Sequence, residues 1–247
     1  MKKVIIIPAR FGSSRYKGKP LVKILKREMI LRVADICANV VNLNDLYIAT
    51  DSEKISNVVK SAGYKTIMTS SSCLTGTDRV AEASRKINSN IYINVQGDEP
   101  TINPRDIRKV INAKVKYPKH VICGYDNVHK FENPHNINLP KVVLNKHDEL
   151  IYISRAAIPS TKKNIKNLEY LKQVCIYGFT KSDLSKFYSK KKSYVESLED
   201  IEILRFFDLG IKIKMIKLNS NSIAVDEISD VKKAEKLLKK KLKDEKR

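Results

Sequence analysis

Tryptophan is absent from the 247 residues, glycine and proline number eight each, and acidic side chains are outnumbered 27 to 48 by basic ones. So little glycine and proline excludes collagen-like and low-complexity architectures. No apolar run approaches the roughly 20 residues needed to cross a bilayer, so no membrane partner is expected. Met1-Lys2-Lys3 precedes only four strong apolar residues, Val4–Ile7, before Pro8-Ala9-Arg10 intervenes. That is too short for a signal peptide, and the expected location is cytoplasmic. Cysteine is sparse: Cys37, Cys73, Cys123 and Cys175 lie far apart, with no C-x-x-C pair. This spacing excludes a disulfide framework and a zinc ribbon. His129 and His135 are close, but no cysteine stands at ligand spacing from either, so a metal role for them is not expected.

What is present is a net charge of +21, mostly lysine and spread along the chain. Such a charge suits either a nucleic-acid binder or an enzyme of anionic small substrates. The aromatics do not interleave with arginine as a stacking platform requires, so no specific nucleic-acid partner is expected. The segment Lys232–Arg247 holds nine basic and three acidic residues. Its apolar positions recur at helical spacing, which reads as a solvated last helix.

Apolar runs and helical patterns alternate through the first half. Strands are expected at Val4–Ile7, Asp45–Thr50, Tyr64–Met68 and Ile91–Val95. Helices are expected at Met29–Val41, Ser52–Ala62, Asp78–Ile87 and Pro104–Lys116. This alternation predicts an α/β fold with a mixed, mainly parallel sheet, whose ligands bind at the carboxyl ends of the strands. From His120 short strands take over, at Val121–Tyr125, Lys141–Leu144, Leu150–Ile153 and Val174–Phe179, with a lysine-rich, mobile loop at 160–172. A helix at Leu198–Leu209 and a strand at Ile211–Leu218 follow. The expectation is one domain over 1–247, with a core of about 1–118 and 180–247 and an inserted antiparallel lobe of about 119–179.

Two motifs carry chemistry. PARFGSSRYKGKPL, residues 8–21, follows the first strand with small residues and four cations, a composition suited to polyphosphate. It is neither a P-loop nor a G-x-G-x-x-G fingerprint. NVQGDEP, residues 94–100, sets two carboxylates after a glycine at a strand end, a good place for a Mg²⁺ ligand. A third carboxylate, Asp226, follows Ile223-Ala224-Val225 and is a candidate partner of Asp98.

These motifs, with LTGTDRVAEA (74–83), KVVL (141–144), ISRAAIP (153–159) and IYG (176–178), stand in the order of the CMP-Kdo synthetases, the 3-deoxy-manno-octulosonate cytidylyltransferases, which the chain resembles from Val4 to about Leu237. The resemblance implies a Rossmann-like nucleotidyltransferase core and a Mg²⁺-dependent transfer of CMP from CTP to an acidic sugar, for bacterial cell-envelope polysaccharide. It also implies a homodimer. Carried over position by position, Arg10, Arg15 and Lys19 hold the triphosphate, and Gly76, Thr77 and Arg79 lie near the nucleotide. Asp98 and Asp226 hold Mg²⁺, and Gln96, Arg155, Tyr177 and Glu202 face the sugar. For Arg155 the alternative is a structural arginine pinning the hairpin to the core. Gln173 and Ile203 depart from the family pattern on the expected sugar side, which raises an 8-amino analogue or another small acid as acceptor. A nucleic-acid-binding protein is the remote alternative.

Overall fold

The computed structural model describes residues 1–12, 16–163, 165 and 168–244. The strands are β1 (Lys3–Ala9), β2 (Lys23–Ile24), β3 (Arg27–Glu28), β4 (Leu46–Thr50), β5 (Lys65–Met68), β6 (Ile91–Val95), β7 (Val121–Asn127), β8 (Lys141–Leu144), β9 (Leu150–Ser154), β10 (Leu171–Phe179) and β11 (Ile213–Lys217). The helices are α1 (Met29–Ala38), α2 (Glu53–Ser61), α3 (Gly76–Ser84), α4 (Pro104–Lys116), α5 (Lys181–Tyr188), α6 (Tyr194–Glu199), α7 (Leu204–Asp208) and α8 (Ile228–Asp244).

The main sheet runs β11-β7-β10-β6-β1-β4-β5, and the β8–β9 hairpin joins it through β10. β1 pairs in parallel with both β4 and β6. β10 enters antiparallel between β6 and β7. The mixed, mainly parallel sheet expected from the sequence is therefore the one formed. Side chains alternate along β1: Ile5 and Ile7 enter the core beneath α1, α2 and α4, whereas Val4 and Ile6 enter the core beneath α3, α5 and α7. A strand apolar on both faces belongs at the centre of a sheet covered on both sides.

Of the segment 119–179, β7 and β10 are strands of the main sheet itself, and the β8–β9 hairpin lies off that path. β10 begins at Leu171, so the polar stretch from 160 ends where its lysine, Lys172, pairs with Glu132. Asn164, Lys166 and Asn167 of that stretch lie outside the described residues.

The helix expected over Leu198–Leu209 is two short helices. Asp200 takes a left-handed conformation, φ 48°, which closes α6 before α7 begins. Glu202 sits in that break. α5 was not expected; its signal was the capping box Thr180/Asp183.

From β1 the chain moves to β4 and β5 on one side and then to β6 on the other. The crevice at this switch point opens between the carboxyl ends of β1 and β6, where the two chemical motifs begin.

Candidate active site

Gly97 makes the switch point possible. A β-carbon there would stand 2.8 Å from the Pro8 carbonyl oxygen and 3.1 Å from Ile30. Only glycine lets the end of β6 approach the end of β1 so closely, and Asp98 follows at once. After β1 the chain loops back, the Gly18 N–H donating to the Phe11 carbonyl, 2.9 Å. Gly18 has φ 74°, and Lys19-Pro20-Leu21 forms a 3₁₀ turn that aims Lys19 into the crevice. The strap 222–226 is held along the β6 loop. Val225 N–H donates to the Asp98 carbonyl, 2.9 Å, and Ile223 N–H to Thr101 Oγ1, 2.8 Å. Asp226 is thereby set beside Asp98.

These parts surround a cleft of about 510 Å³. Lys19 Nζ donates to Asp98 Oδ2 at 2.8 Å and to Asp226 Oδ1 at 3.3 Å. Burial alone would lower the lysine, but the two carboxylates outweigh it and hold the ammonium above the ordinary lysine range. Both carboxylates keep about a third of their surface exposed to the cleft.

Of the remaining predicted residues, Arg10, Gly76, Arg79, Gln96 and Arg155 line the same cleft. Arg10 is exposed at its mouth. Gly76 opens α3, and a β-carbon there would lie 3.0 Å from the Gln96 amide. The α3 amino terminus, capped by Thr75 and Asp78, faces the cleft through Thr75 and Gly76. Arg79 is buried and committed: it pairs with Asp51 at 2.9 Å and donates to Thr69 Oγ1 at 2.5 Å. Arg15 lies outside the described residues.

Arg155 does pin its surroundings. Its guanidinium donates to the carbonyls of Glu199, Ile137 and Asp200, three of five N–H donors spent on main chain. Thr77 and Glu202 do not line the cleft. They brace it: the Glu202 carboxylate accepts from Thr77 N–H at 2.8 Å and from Gln96 Nε2 at 3.0 Å. Burial pushes the Glu202 carboxyl above its ordinary range, the Thr77 bond offsetting part of the shift.

Tyr177 corrects the expectation placed on it. It is 2% exposed, packs in the core under α3 and α7, and its hydroxyl accepts from Gln173 Nε2 at 3.2 Å. Gln173 and Ile203 are buried as well, and neither lines the cleft. The substitutions expected to alter sugar contacts are therefore core substitutions.

Sequence reasoning missed Ile137, Asn138 and Asp200, which line the cleft. Nothing in their local sequence marks them; β8, β9 and the left-handed turn at Asp200 carry them there. Cys73 also lines the cleft, and burial and Glu82 push its thiol up to about 12, which favours the protonated form.

Among the described residues no group of three or more metal-ligating side chains occurs. A Mg²⁺ ion asks for less: one or two carboxylates, with substrate phosphates completing the shell. Asp98 and Asp226, both within 3.3 Å of one ammonium cation, are hard oxygen donors already arranged about a positive charge.

A family model described as cytidylyltransferase matches residues 4–213. The 3-deoxy-manno-octulosonate cytidylyltransferase of Escherichia coli is 34% identical over 240 residues, covering 96% of each chain. The 8-amino-3,8-dideoxy-manno-octulosonate cytidylyltransferase of Shewanella sp. (strain W3-18-1) is 35% identical over 246 residues, covering 96% of this chain and 99% of its own. Among solved structures, a CMP:2-keto-3-deoxy-manno-octonic acid synthetase complexed with CTP superposes with a TM-score of 0.90 at 33% identity, covering 98% of this chain and all of that one.

Proposed function

The chain belongs to the cytidylyltransferase family, and from that premise we propose that it transfers CMP from CTP to 3-deoxy-manno-octulosonate or its 8-amino analogue. It is a nucleotidyltransferase. In the reaction the anomeric hydroxyl oxygen attacks the α-phosphorus, the bond from that phosphorus to the β-phosphate oxygen breaks, the hydroxyl proton is lost to solvent, and pyrophosphate leaves.

The observation that carries this reading is the convergence of Lys19, Asp98 and Asp226 at the switch point, beside the amino terminus of α3. Phosphoryl transfer asks a protein mainly for alignment and charge neutralisation. Lys19 supplies a cation that stays protonated across neutral pH. Arg10 adds a second at the mouth, and the α3 amino terminus, whose Thr77 and Asp78 N–H groups are held by Glu202 and Thr75, adds the positive end of its helix dipole. Asp98 and Asp226 are the residues that would hold Mg²⁺, which when bound neutralises charge on the triphosphate. Gln96, fixed by Glu202, and the Arg155–Asn138 side of the cleft are left for the sugar acid.

Relatives carrying the two acceptor names match at 34% and 35% identity, so identity does not choose between the acceptors. The burial of Gln173 and Ile203 removes the sequence argument for an altered sugar pocket, which favours plain 3-deoxy-manno-octulosonate. We also place the protein in bacterial cell-envelope polysaccharide synthesis, in the cytoplasm, as a homodimer. Exposed Phe131, Ile137 and Ile151 supply apolar surface for the dimer contact.

The test is pyrophosphate release from CTP and Mg²⁺ with 3-deoxy-manno-octulosonate, its 8-amino analogue, a nonulosonic acid, and no sugar. Release with either octulosonate supports the proposal, and their ratio assigns the acceptor. Release only with the nonulosonic acid, or with none of them from folded protein, overturns it.

A further inference from the structure

Helix α8 has two faces. Val231, Ala234 and Leu238 pack against Val22, Ile24, Met29 and Val225. On the other side Lys232, Lys236, Lys239, Lys240 and Lys243 share one shallow depression with Glu235. At 100° per residue these five positions fall in a single stripe opposite the apolar one.

The helix places like charges at i,i+4 three times, at 232/236, 236/240 and 239/243, an arrangement that costs helix stability. An ordinary solvated helix relieves this with interspersed acids. Here two of the helix's three acids, Asp230 and Glu235, hold other groups. Glu235 Oε1 accepts the Leu25 N–H at 2.9 Å. Asp230 pairs with Lys233 at 2.8 Å and accepts the N–H groups of Asp226 and Glu227 at 3.1 Å. Among the described residues none of the five lysines has an acidic partner.

Two further features select the kind of anion. Ile228 and Leu242 stand 70% and 50% exposed at the two ends of the helix. By helical spacing both lie on the same side of the helix, between the lysine stripe and the apolar one, about 21 Å apart. Apolar side chains flanking a row of lysines suit an interface that is anionic at its surface and apolar just below. The helix also has no arginine and no aromatic residue. It therefore lacks the bidentate fork and the stacking surface that nucleic-acid contacts use.

We propose that the lysine face of α8 docks the protein reversibly onto the surface of an anionic lipid bilayer. Among the described residues no helix is long and apolar enough to cross a membrane, so the contact is peripheral. The sequence alone assigned no membrane partner to this helix; the shared depression, the engaged acids and the flanking Ile228 and Leu242 revise that reading. α8 begins two residues after Asp226, so docking brings the cleft close to the membrane surface.

The test is co-sedimentation of the full chain with phosphatidylglycerol/phosphatidylcholine vesicles and with pure phosphatidylcholine vesicles, at about 50 mM and about 500 mM salt. Binding is expected only to the anionic vesicles and only at low salt. Each lysine contributes about fivefold to the partition coefficient, so replacing Lys232, Lys236, Lys239, Lys240 and Lys243 by Gln lowers it at least about a hundredfold. Turnover in solution is retained by that variant. Replacing the exposed Lys60, Lys119, Lys146, Lys181 and Lys190 by Gln removes the same charge elsewhere and lowers binding far less. The pair Ile228→Ser and Leu242→Ser weakens binding without changing its salt dependence. If the five-lysine variant loses its circular dichroism, Lys236→Glu with Lys240→Glu reads the same face. The proposal is overturned by no binding to anionic vesicles or by equal losses from the two five-lysine sets. It is overturned too by tighter binding of a 30-mer RNA or duplex DNA that the α8 substitutions abolish.

Discussion

The ammonium of Lys19 stands 2.8 Å from Asp98 and 3.3 Å from Asp226, so two carboxylates far apart in the sequence already share one cation. Their alignment does not depend on their side chains, because the Val225 N–H holds the Asp98 carbonyl directly. Asp98→Asn should therefore fold normally, with little change in melting temperature, while kcat falls at least about a thousandfold. Steady-state turnover beside a thermal melt checks this. Activity near wild type would remove Asp98 from the metal assignment.

Lys19 occupies the space between the carboxylates that a divalent ion would share. Lys19→Met leaves those carboxylates facing each other with less positive charge between them. Nucleotide-free protein should then bind Mn²⁺ more tightly, by about tenfold, while the KM for CTP rises and that for the sugar acid changes little. Metal titration by electron paramagnetic resonance reads the first effect. Unchanged Mn²⁺ affinity would mean that the lysine and the metal do not compete.

Glu99 is buried beside Asp98, and desolvation pushes its carboxyl up to about 7, against 4.5 when unfolded. The folded state binds this proton more tightly. The stability it contributes is full below pH 4.5 and is lost as pH rises through about 7, an effect of about 3 kcal/mol at most. Glu99→Gln should flatten that slope and leave the variant more stable than wild type at pH 8. Urea midpoints across this range, measured in chelator, check it; parallel curves would place the slope on another group.

Where local pattern decides structure, the sequence was legible. Ile91–Val95, Pro104–Lys116 and Lys141–Leu144 form with the predicted bounds, because strand and helix periods and the Asn103–Pro104 start are local signals. The motifs at the ends of β1 and β6 were legible for the same reason, and the parallel pairing of those strands brings them together. The break at Asp200 was not, since a left-handed residue interrupts a run whose apolar spacing is helical throughout. The direction of Tyr177 was hidden by tertiary structure. The register of β10 against β7 shifts between Val174 and Tyr177, and such a bulge changes which side chains face which side beyond what alternation can foretell. The engagement of Arg155 with the carbonyls of Ile137 and Asp200 depends on contacts 18 and 45 residues away, which no local pattern encodes.

Glu202 and Tyr177, both assigned to the sugar by resemblance, separate under mutation. The Tyr177 hydroxyl bonds Gln173 within the core, so Tyr177→Phe should cost about 1 kcal/mol of stability and change the sugar KM less than about threefold. Glu202 acts through the groups it holds. Glu202→Ala leaves the Thr77 N–H and Gln96 Nε2 without their acceptor and frees the start of α3 to shift. Misplacement on that scale costs about a hundredfold in kcat/KM. Because burial raises the Glu202 carboxyl, wild-type kcat/KM should decline on the acid side above the ordinary glutamate range, as protonation weakens both bonds. Glu202→Gln keeps the shape and one acceptor, so it should recover most of the alanine loss and flatten that acid limb. Full pH profiles of kcat/KM for the three proteins decide the matter. An acid limb surviving in Glu202→Gln would assign the titration to a group other than this brace.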